Sequence, residues 1–432
     1  MLPNGKEFEL TSGKIVHKET GSHIAFPCET IERVKQVLPK LGVAKLEQIP
    51  PEFTDGVPIF RVNEASVKTK CHRHAWYGAP QPTSLDNPPQ ECFGKGMTLE
   101  QSQASALMEA VERYSGQRFS HSNIVEATYD KVGALAVVPS QFNFPTLPLK
   151  CFGCAESNKW CFPRLEEVSD EWSWGYSLVS KSAALLPSAL VYYPYISKHR
   201  SSFTFNDTGG LAAGNSLEEA VLQGTAEVVE RDAQYYSFNL GNLGSMRMVD
   251  FSNTQNVYIQ QFLGEVLPAE SVFAFQVENK KFTLDIPAFS AFVCYVVGGE
   301  RRYFGGSGAS LNPEVALLRA LTELEQQKAR QKAYVQFDRG KLIVHEGWKQ
   351  ENIICLEDIP NQSTGDVSSD IELCSAKLSR NGLDMIVSDL THPEIGIPVT
   401  RVVIPKLISY SGSPIRESIF LETMKAFGSN VR

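Results

Sequence analysis

The stretch GKGMTLEQSQASALMEAVERYSG, residues 94–116, decides how this chain folds. A short Gly-rich run, Gly94 to Gly96, precedes a mostly apolar segment whose polar residues recur at helical spacing. Thr98 and Gln101 can form a capping box, in which each side chain binds the backbone N–H of the other residue. The pattern therefore predicts a long helix that starts directly after Thr98.

The polar residues of this helix share one face. Ser105, Glu109 and Glu112 occupy positions i, i+4 and i+7, which project within roughly 60° of one another, while apolar residues cover the remaining surface. A stripe on such a helix is expected to be partly buried. Because unpaired buried carboxylates cost several kcal/mol or take up protons, this stripe is expected to need cations.

The same arrangement occurs in NDTGGLAAGNSLEEAVLQGTAEVVERDA, residues 206–233. Here Ser216 and Glu219 form the capping pair. The polar face carries Gln223, Glu227 and Glu230. The spacing from the last glycine of the run to the first glutamate of the Glu-x-x-Glu-Arg motif equals that of the first copy, which indicates two related structural units.

A third copy is GGSGASLNPEVALLRALTELEQQ, residues 305–327. Asn312 is the predicted helix cap, and Pro313 takes the first helical position. The face at i, i+4 and i+7 is formed by Arg319, Glu323 and Gln326.

Solvated residues on an exposed face are the usual explanation of one acidic helix, but three coincident copies favour a shared buried cluster. Clustered carboxylates with neutral oxygen and amide ligands suit Mg²⁺, which usually completes its coordination with water and phosphate. Gly-rich loops at helix starts would add N–H donors for phosphate oxygens. The sequence contains no Walker A motif, so the predicted nucleotide site is not a P-loop.

Bulk composition narrows the class of protein. The 432 residues are 42% hydrophobic and 21% charged, as in a globular protein, and the net charge of -8 argues against a nucleic-acid binder. We expect no secretory signal and no membrane span. The nine cysteines are best explained as reduced thiols, so we expect a cytoplasmic protein.

The remaining pattern mixes helices and strands. Strand-like runs lie at residues 190–195, 271–276, 288–297 and 398–404, and together with the long helices they predict an α/β or α+β fold. Residues 28–50 have apolar residues at helical spacing and predict a small N-terminal helical element.

In order and spacing, the three blocks resemble the signature blocks of the YcaO family. The resemblance implies an α/β (α+β) fold of internally related helix-sheet units around a non-P-loop ATP site. It also implies a catalytic domain over residues 65–432, preceded by an N-terminal helical segment over residues 1–64.

The resemblance further implies a role for each matching residue. The implied Mg²⁺ ligands are Glu109, Glu112, Glu227 and Glu230. The implied nucleotide-binding residues are Ser105, Glu109, Asn215, Glu219, Arg231, Glu323 and Gln326. Charge neutralisation during phosphoryl transfer falls to the implied catalytic residues Lys95, Arg113, Arg231 and Arg319.

The function implied by the resemblance is ATP- and Mg²⁺-dependent phosphorylation of a peptide backbone amide oxygen. External sulfide would give a thioamide, and a substrate side chain would give an azoline. The chain ends FLETMKAFGSNVR, without the proline-rich tail common in azoline-forming members, so we expect thioamide formation on a peptide or protein, with a TfuA-like partner or a sulfur-donor protein. A homodimer is expected. The alternatives are an azoline-forming enzyme and a nucleotide-binding adaptor, for example one accessory to methylthiolation of a ribosomal protein.

Other candidate residues stay open. Cys151-x-x-Cys154 with Cys161 fits ordinary thiols, sulfur handling or a metal site. The cluster CHRH at residues 71–74, beside a proline-rich segment, fits an ordinary surface or hydrogen-bonded segment, or a substrate contact. No role is predicted for His345 and His392.

Overall fold

The computed structural model of the chain describes residues 10–16, 20–49, 59–64, 91–119, 122, 124–137, 169–193, 195, 207–239, 246–267, 271–297, 300–334, 341–342 and 353–408. Helices and strands are mixed along these residues, which confirms the predicted α/β (α+β) class. Among the helices in these ranges, none combines the length and the apolar composition that a membrane crossing requires.

The α-helices of the described residues are α1 Pro27–Lys35, α2 Leu38–Leu41, α3 Leu99–Ser115, α4 Tyr129–Val132, α5 Ser188–Val191, α6 Leu217–Gln234, α7 Val257–Gln261, α8 Pro313–Tyr334 and α9 Val367–Arg380. The strands are β1 Val43–Gln48, β2 Ile59–Glu64, β3 Glu91–Lys95, β4 Ile124–Thr128, β5 Ser169–Ser177, β6 Ser182–Pro187, β7 Leu211–Ala213, β8 Arg247–Asp250, β9 Val272–Gln276, β10 Ala288–Val297, β11 Glu300–Ala309, β12 Lys341–Leu342, β13 Ile353–Cys355, β14 Ile386–Asp389 and β15 Val399–Val403.

These strands form three sheets. One has the order β1-β2-β3, a second has the order β11-β10-β9-β8-β13 with β12 beside β10, and the third has the order β4-β5-β14-β15-β7 with β6 beside β5. Neighbouring strands are antiparallel except β13, which runs parallel to β8. Because β1 pairs with β2 and β2 pairs with β3, residues before position 65 share a sheet with the first signature block. The predicted boundary at residue 65 lies outside the described residues and stays a prediction.

The predicted N-terminal helical element is only partly present. Residues 27–35 and 38–41 are helical, but residues 43–48 form β1. Gly42 has a φ of 69°, the left-handed conformation that ends a helix. The apolar residues after Gly42 keep a helical spacing by chance, although the helix has already ended at Gly42.

Three of the four predicted strands are confirmed as β9, β10 and β15, and the fourth is wrong. At residues 188–191 the chain forms α5, with the Tyr192 N–H bonded to the Ser188 carbonyl at 3.0 Å. Leu190 and Tyr195 are buried in an apolar cluster of the core. The β-branched and aromatic run thus reflects burial, which a short helix can satisfy as well as a strand.

The predicted caps of the three long helices are present. The Gln101 N–H donates to Thr98 Oγ1 at 3.2 Å, the Glu219 N–H to Ser216 Oγ at 3.1 Å, and the Glu314 N–H to Asn312 Oδ1 at 3.0 Å. Thr98 and Gln101 form the full capping box. These contacts fix where α3, α6 and α8 begin.

Glycine runs next to the long helices serve close packing. Gly94 lies in β3, and Gly306 and Gly308 lie in β11, so the third run is a strand and not the loop that the sequence predicted. A Cβ on Gly94 would lie 2.0 Å from the Ser102 carbonyl oxygen, and one on Gly306 would lie 2.2 Å from the Ala320 carbonyl oxygen. Helices α3 and α8 can therefore lie directly on the backbone of the strands that precede them, β3 and β11.

The three strand-helix units form a closed ring. Helix α3 packs on its own strand β3 and contacts β7, α6 packs on β7 and contacts β11, and α8 packs on β11 and contacts β3. The apolar face of α8 buries Leu317, Leu321 and Leu324 against residues of the second sheet such as Phe289. As a result, the polar stripes of three helices that are distant in sequence meet at the centre of the ring.

Replacement of Gly306 by Ala tests this packing. The added Cβ would meet backbone atoms of α8, which cannot rotate away, so we expect a loss of about 3 kcal/mol of folding stability. Thermal unfolding should show a lower midpoint. Gly264→Ala is the control, because a Cβ there meets nothing within 4 Å, and it should be neutral or slightly stabilising. Equal midpoints for the two variants would contradict the packing account.

Candidate functional site

The α3 stripe is tied to the edge of β3. Glu109 Oε2 accepts the Phe93 N–H at 2.8 Å, and Ser105 Oγ accepts the Lys95 N–H at 3.3 Å. From α8, Gln326 Nε2 donates to the Phe93 carbonyl. These side chains therefore bond backbone groups on the edge of β3 that does not face β2, and in doing so they fix α3 and α8 relative to each other.

Arg113 lies between the two glutamates of α3. Its guanidinium is 3.1 Å from Glu109 Oε1 and 3.8 Å from Glu112 Oε1. Burial opposes the charged form of Arg113, but Glu112 and Glu109 hold its pKa above the usual value. Arg113 therefore stays charged and partly neutralises the stripe.

Carboxyl groups of α3 and α6 repel each other across the ring. Burial raises the pKa of Glu112 well above its ordinary value; Arg113 opposes this shift, while Glu227 and Glu109 add to it. Burial also raises the pKa of Glu227, against the effect of Arg231 at 3.5 Å. Two partly desolvated carboxyls with raised pKa values are a place where a cation is favourable.

Positive charges predominate around the stripe of α8, in contrast to the acidic stripe of α3. Lys95 Nζ lies 2.6 Å from Glu323 Oε2, and Arg319 donates to Gln223 Oε1 of α6. Burial would raise the pKa of Glu323, but Lys95 and then Arg231 hold it below its ordinary value. Cations from β3, α6 and α8 thus surround one carboxylate.

Glu230 of α6 is almost fully buried and is hydrogen bonded to β11. Its Oε1 accepts from Ser307 Oγ at 2.7 Å. The same residue acts electrostatically on Glu227 and Arg231. It therefore belongs to the cluster, and its predicted role as a metal ligand stays a prediction.

Asn215 and Glu219 are engaged elsewhere. Glu219 accepts from the Ile24 N–H at 3.2 Å and lies 2.9 Å from His23 Nδ1, and Asn215 Oδ1 accepts from Thr30 Oγ1 at 3.0 Å. Along α6, Glu219 precedes Glu227 by about 12 Å of helix length. These two predicted nucleotide contacts therefore lie at the start of the helix, beside the N-terminal segment, and apart from the carboxylate and arginine cluster.

Two residues that the sequence did not single out belong to the cluster. Asp207 acts on the charges of Glu227 and Arg231, and the buried Arg401 of β15 acts on Glu112. Asp207 could have been noticed because it stands two residues before the glycine pair of the second block. Arg401 could have been noticed as a charged residue inside the apolar strand VTRVV.

The cluster fits a metal-bound triphosphate better than a metal alone. Within the described ranges, no group of three or more His, Cys, Asp or Glu side chains is placed to hold a metal ion by itself. Magnesium, however, usually takes part of its coordination from water and phosphate. The Nε atoms of Arg231 and Arg319 are buried, and neither has a hydrogen-bond partner among the residues that the structure describes, so both N–H groups could donate to an anion in the cluster.

Of the other candidates, His392 has a structural explanation. Its ring packs edge-on against Tyr114 and Phe119, with centroid distances of 5.3 and 4.5 Å, and it is buried. The cysteines at 151, 154 and 161, the cluster at 71–74 and His345 lie outside the described residues.

A family model matches most of the chain. The model, described as YcaO cyclodehydratase, ATP- and Mg²⁺-binding, matches residues 93–408. An uncharacterized protein of Methanothermobacter thermautotrophicus is 29% identical over 408 residues, which are 90% of this chain and 96% of the relative. A Rhizobium leguminosarum protein named for the tfuA 3' region is 24% identical over 355 residues, covering 75% of this chain and 78% of that protein.

Solved structures share the fold. A heterocyclase in complex with substrate and cofactor aligns with a TM-score of 0.73 and 27% identity, over 93% of this chain; this chain spans only 55% of that larger one. The YcaO protein of Methanopyrus kandleri, bound with AMPPCP and Mg²⁺, aligns with a TM-score of 0.68 and 21% identity, over 94% of this chain and 96% of the other.

Glu112→Gln tests the electrostatics of the cluster. Because folding raises the pKa of Glu112 above its ordinary value of 4.5, the folded protein binds more protons, and this group lowers stability as pH rises from about 4.5 through the raised pKa. A neutral glutamine removes that loss. Without ligand, we expect the thermal midpoint of the variant to match the wild type near pH 4 and to exceed it increasingly toward pH 7.5.

Glu100→Gln is the matched control, since Glu100 is exposed in the first turn of the same helix. Its difference from the wild type should not grow with pH in this way. A Glu112→Gln variant less stable than the wild type at pH 7.5 would contradict the raised pKa.

Proposed function

This chain belongs to the YcaO family, and from that membership we propose that it activates a peptide backbone amide by phosphorylating the amide oxygen, with ATP and Mg²⁺ as cofactors. Members of the family are ATP-dependent peptide-modifying enzymes. The observation that carries the proposal is the meeting of Glu112 of α3, Glu227 of α6 and Glu323 of α8 with arginines in one partly buried cluster.

Different residues of this chain would bind the metal and the phosphate groups. Glu109, Glu112, Glu227 and Glu230 would hold the metal. The Nε–H groups of Arg231 and Arg319, which have no hydrogen-bond partner among the described residues, would donate to phosphate oxygens, and Lys95 is already fixed at 2.6 Å from Glu323. When bound, Mg·ATP supplies the phosphoryl group and the metal charge that neutralises it. Positioning of the amide by these fixed side chains contributes the rest.

We assign external sulfide as the nucleophile. Sulfide adds to the amide carbonyl carbon, the amide oxygen takes the γ-phosphoryl group, and the C–O bond breaks to release phosphate. One amide, one HS⁻ and one ATP thus give one thioamide, one ADP and one hydrogen phosphate. The relative named for the tfuA 3' region supports this assignment, since TfuA-like partners accompany thioamide-forming members.

Azoline formation is the second candidate. The solved heterocyclase supports it, because it aligns over nearly the whole of this chain at 27% identity. In that reaction a Cys, Ser or Thr side chain of the substrate replaces sulfide. The shared cluster serves both reactions, because it acts on the phosphate and not on the nucleophile. A third possibility is an adaptor that binds nucleotide without amide chemistry.

We further propose a cytoplasmic homodimer that works with a TfuA-like or sulfur-donor protein on a peptide or protein substrate. The division into residues 1–64 and 65–432 is kept as part of this proposal, with β1 and β2 of the first segment completing the sheet of β3.

Loss of the proposed metal-binding carboxylates should strongly lower turnover. For Glu109→Ala and Glu230→Ala we expect ATP hydrolysis in the presence of Mg²⁺ and cognate peptide to fall at least tenfold, equivalent to more than about 1.4 kcal/mol of transition-state stabilisation. A phosphate-release assay measures this. Glu32→Ala is the control, because Glu32 lies on the exposed face of α1 and pairs only with Lys35 among the described residues. Undiminished turnover in either site variant would refute the site assignment.

The mass of the product separates the three candidate functions. With ATP, Mg²⁺ and sulfide, thioamide formation should raise the mass of the peptide by about 16 Da, and azoline formation should lower it by about 18 Da. Mass spectrometry of peptides encoded beside the gene, with and without sulfide, measures the change. A loss of water that is independent of sulfide would overturn thioamide formation, and an unchanged mass during ATP turnover would favour the adaptor.

A further inference from the structure

Arg401 is a fully buried arginine in β15. Its side chain is 1% exposed, and its neighbours Val399, Thr400 and Val402 are buried as well. A buried guanidinium is costly unless charges and hydrogen bonds compensate it. None of the three helical stripes contains this residue, so its charge in the core needs an explanation of its own.

Among the described residues, the guanidinium of Arg401 is hydrogen bonded only to Asp207, and we call this pair the clasp. One guanidinium nitrogen donates to the Asp207 backbone carbonyl at 2.9 Å, and another donates to Asp207 Oδ1 at 3.4 Å. Asp207 Oδ1 also accepts the Gly209 N–H at 3.0 Å, and the Val402 N–H donates to the Gly210 carbonyl at 2.8 Å. The clasp therefore fixes the segment that leads into β7 and α6.

The same guanidinium interacts electrostatically with two carboxyl groups of the cluster, Glu227 and Glu112. Burial lowers the pKa of Arg401, while Asp207, Glu227 and Glu112 act in the opposite direction. Arginine keeps its charge in proteins, so this is a permanent cation. Its position in β15 places it in the sheet beneath α6, where it complements Arg113 of α3.

We propose that Arg401 is a positioning residue of the nucleotide site: it fixes Asp207 beside α6 and supplies the fixed positive charge that lets Glu112 and Glu227 lie close together before a metal binds. Because it is buried, it acts through these three carboxylates and does not touch the ligand. The inference deepens the proposed function, yet it rests on the binding of Mg²⁺ and nucleotide and not on the identity of the peptide product.

The test measures binding of AMPPCP at a series of Mg²⁺ concentrations by calorimetry. For Arg401→Met we expect at least tenfold weaker binding and a higher Mg²⁺ midpoint. Arg401→Lys keeps the charge but cannot reach both acceptors, so it should recover part of the affinity. Arg247→Met is the matched control, since Arg247 is also a strand arginine with a side-chain hydrogen bond, to Gln276 at 2.7 Å, and it should bind like the wild type.

A purely structural role predicts a different result. It would lower the thermal midpoint of Arg401→Met and leave the affinity of the folded protein within twofold of the wild type, which would overturn the proposal. If Arg401→Met does not fold, Arg401→Lys and Asp207→Asn decide: at least threefold weaker binding in both is expected, and wild-type affinity in both would overturn it. A missing product in the peptide assay would count against the proposed reaction and not against Arg401.

Discussion

Direct contact of α3 with the glycine backbone of β3, and of α8 with that of β11, is the constraint on which the rest of this structure depends. With a side chain at Gly94 or Gly306, the helix would have to move outward. The ring of strands and helices closes only because these approaches are short, since α8 must reach β3 as well as β11. The polar stripes of α3, α6 and α8 are then directed toward the same place without any dedicated binding loop.

The ring holds charged side chains together without neutralising all of their charges. The chemistry of the cluster follows from this. Burial raises the pKa of Glu112 and Glu227, whereas Lys95 and Arg231 lower that of Glu323, so one cluster contains both carboxyls that favour a cation and cations that favour an anion. A metal-bound triphosphate carries both signs of charge. This mixture distinguishes the site from a simple metal cage, which would need carboxylates alone.

Local patterns in the sequence predicted the long helices, their caps and their stripes, because capping and i, i+4 spacing depend on neighbours within one helix. The run at residues 190–195 was wrongly predicted as a strand, because apolar residues can be buried in a helix as well as in a strand. The glycine runs were found from the sequence, but the third was predicted as a loop and is a strand. Glycine is favoured both in turns and where two backbones lie close together, so its presence alone does not separate the two. Arg401 and Asp207 were missed because they meet through strand register over 194 positions.

Closure of the ring also sets the order in which the molecule can be assembled. The bond from Gln326 to Phe93 spans 233 positions, so α3 leaves the ribosome long before its partner helix exists. During that interval the acidic stripe of α3 has neither Lys95–Glu323 nor Arg401 beside it. Contacts of such long sequence separation form slowly. The cluster is consequently among the last parts of the protein to form, and a nascent chain that stops before β15 would carry the three helices without Arg401.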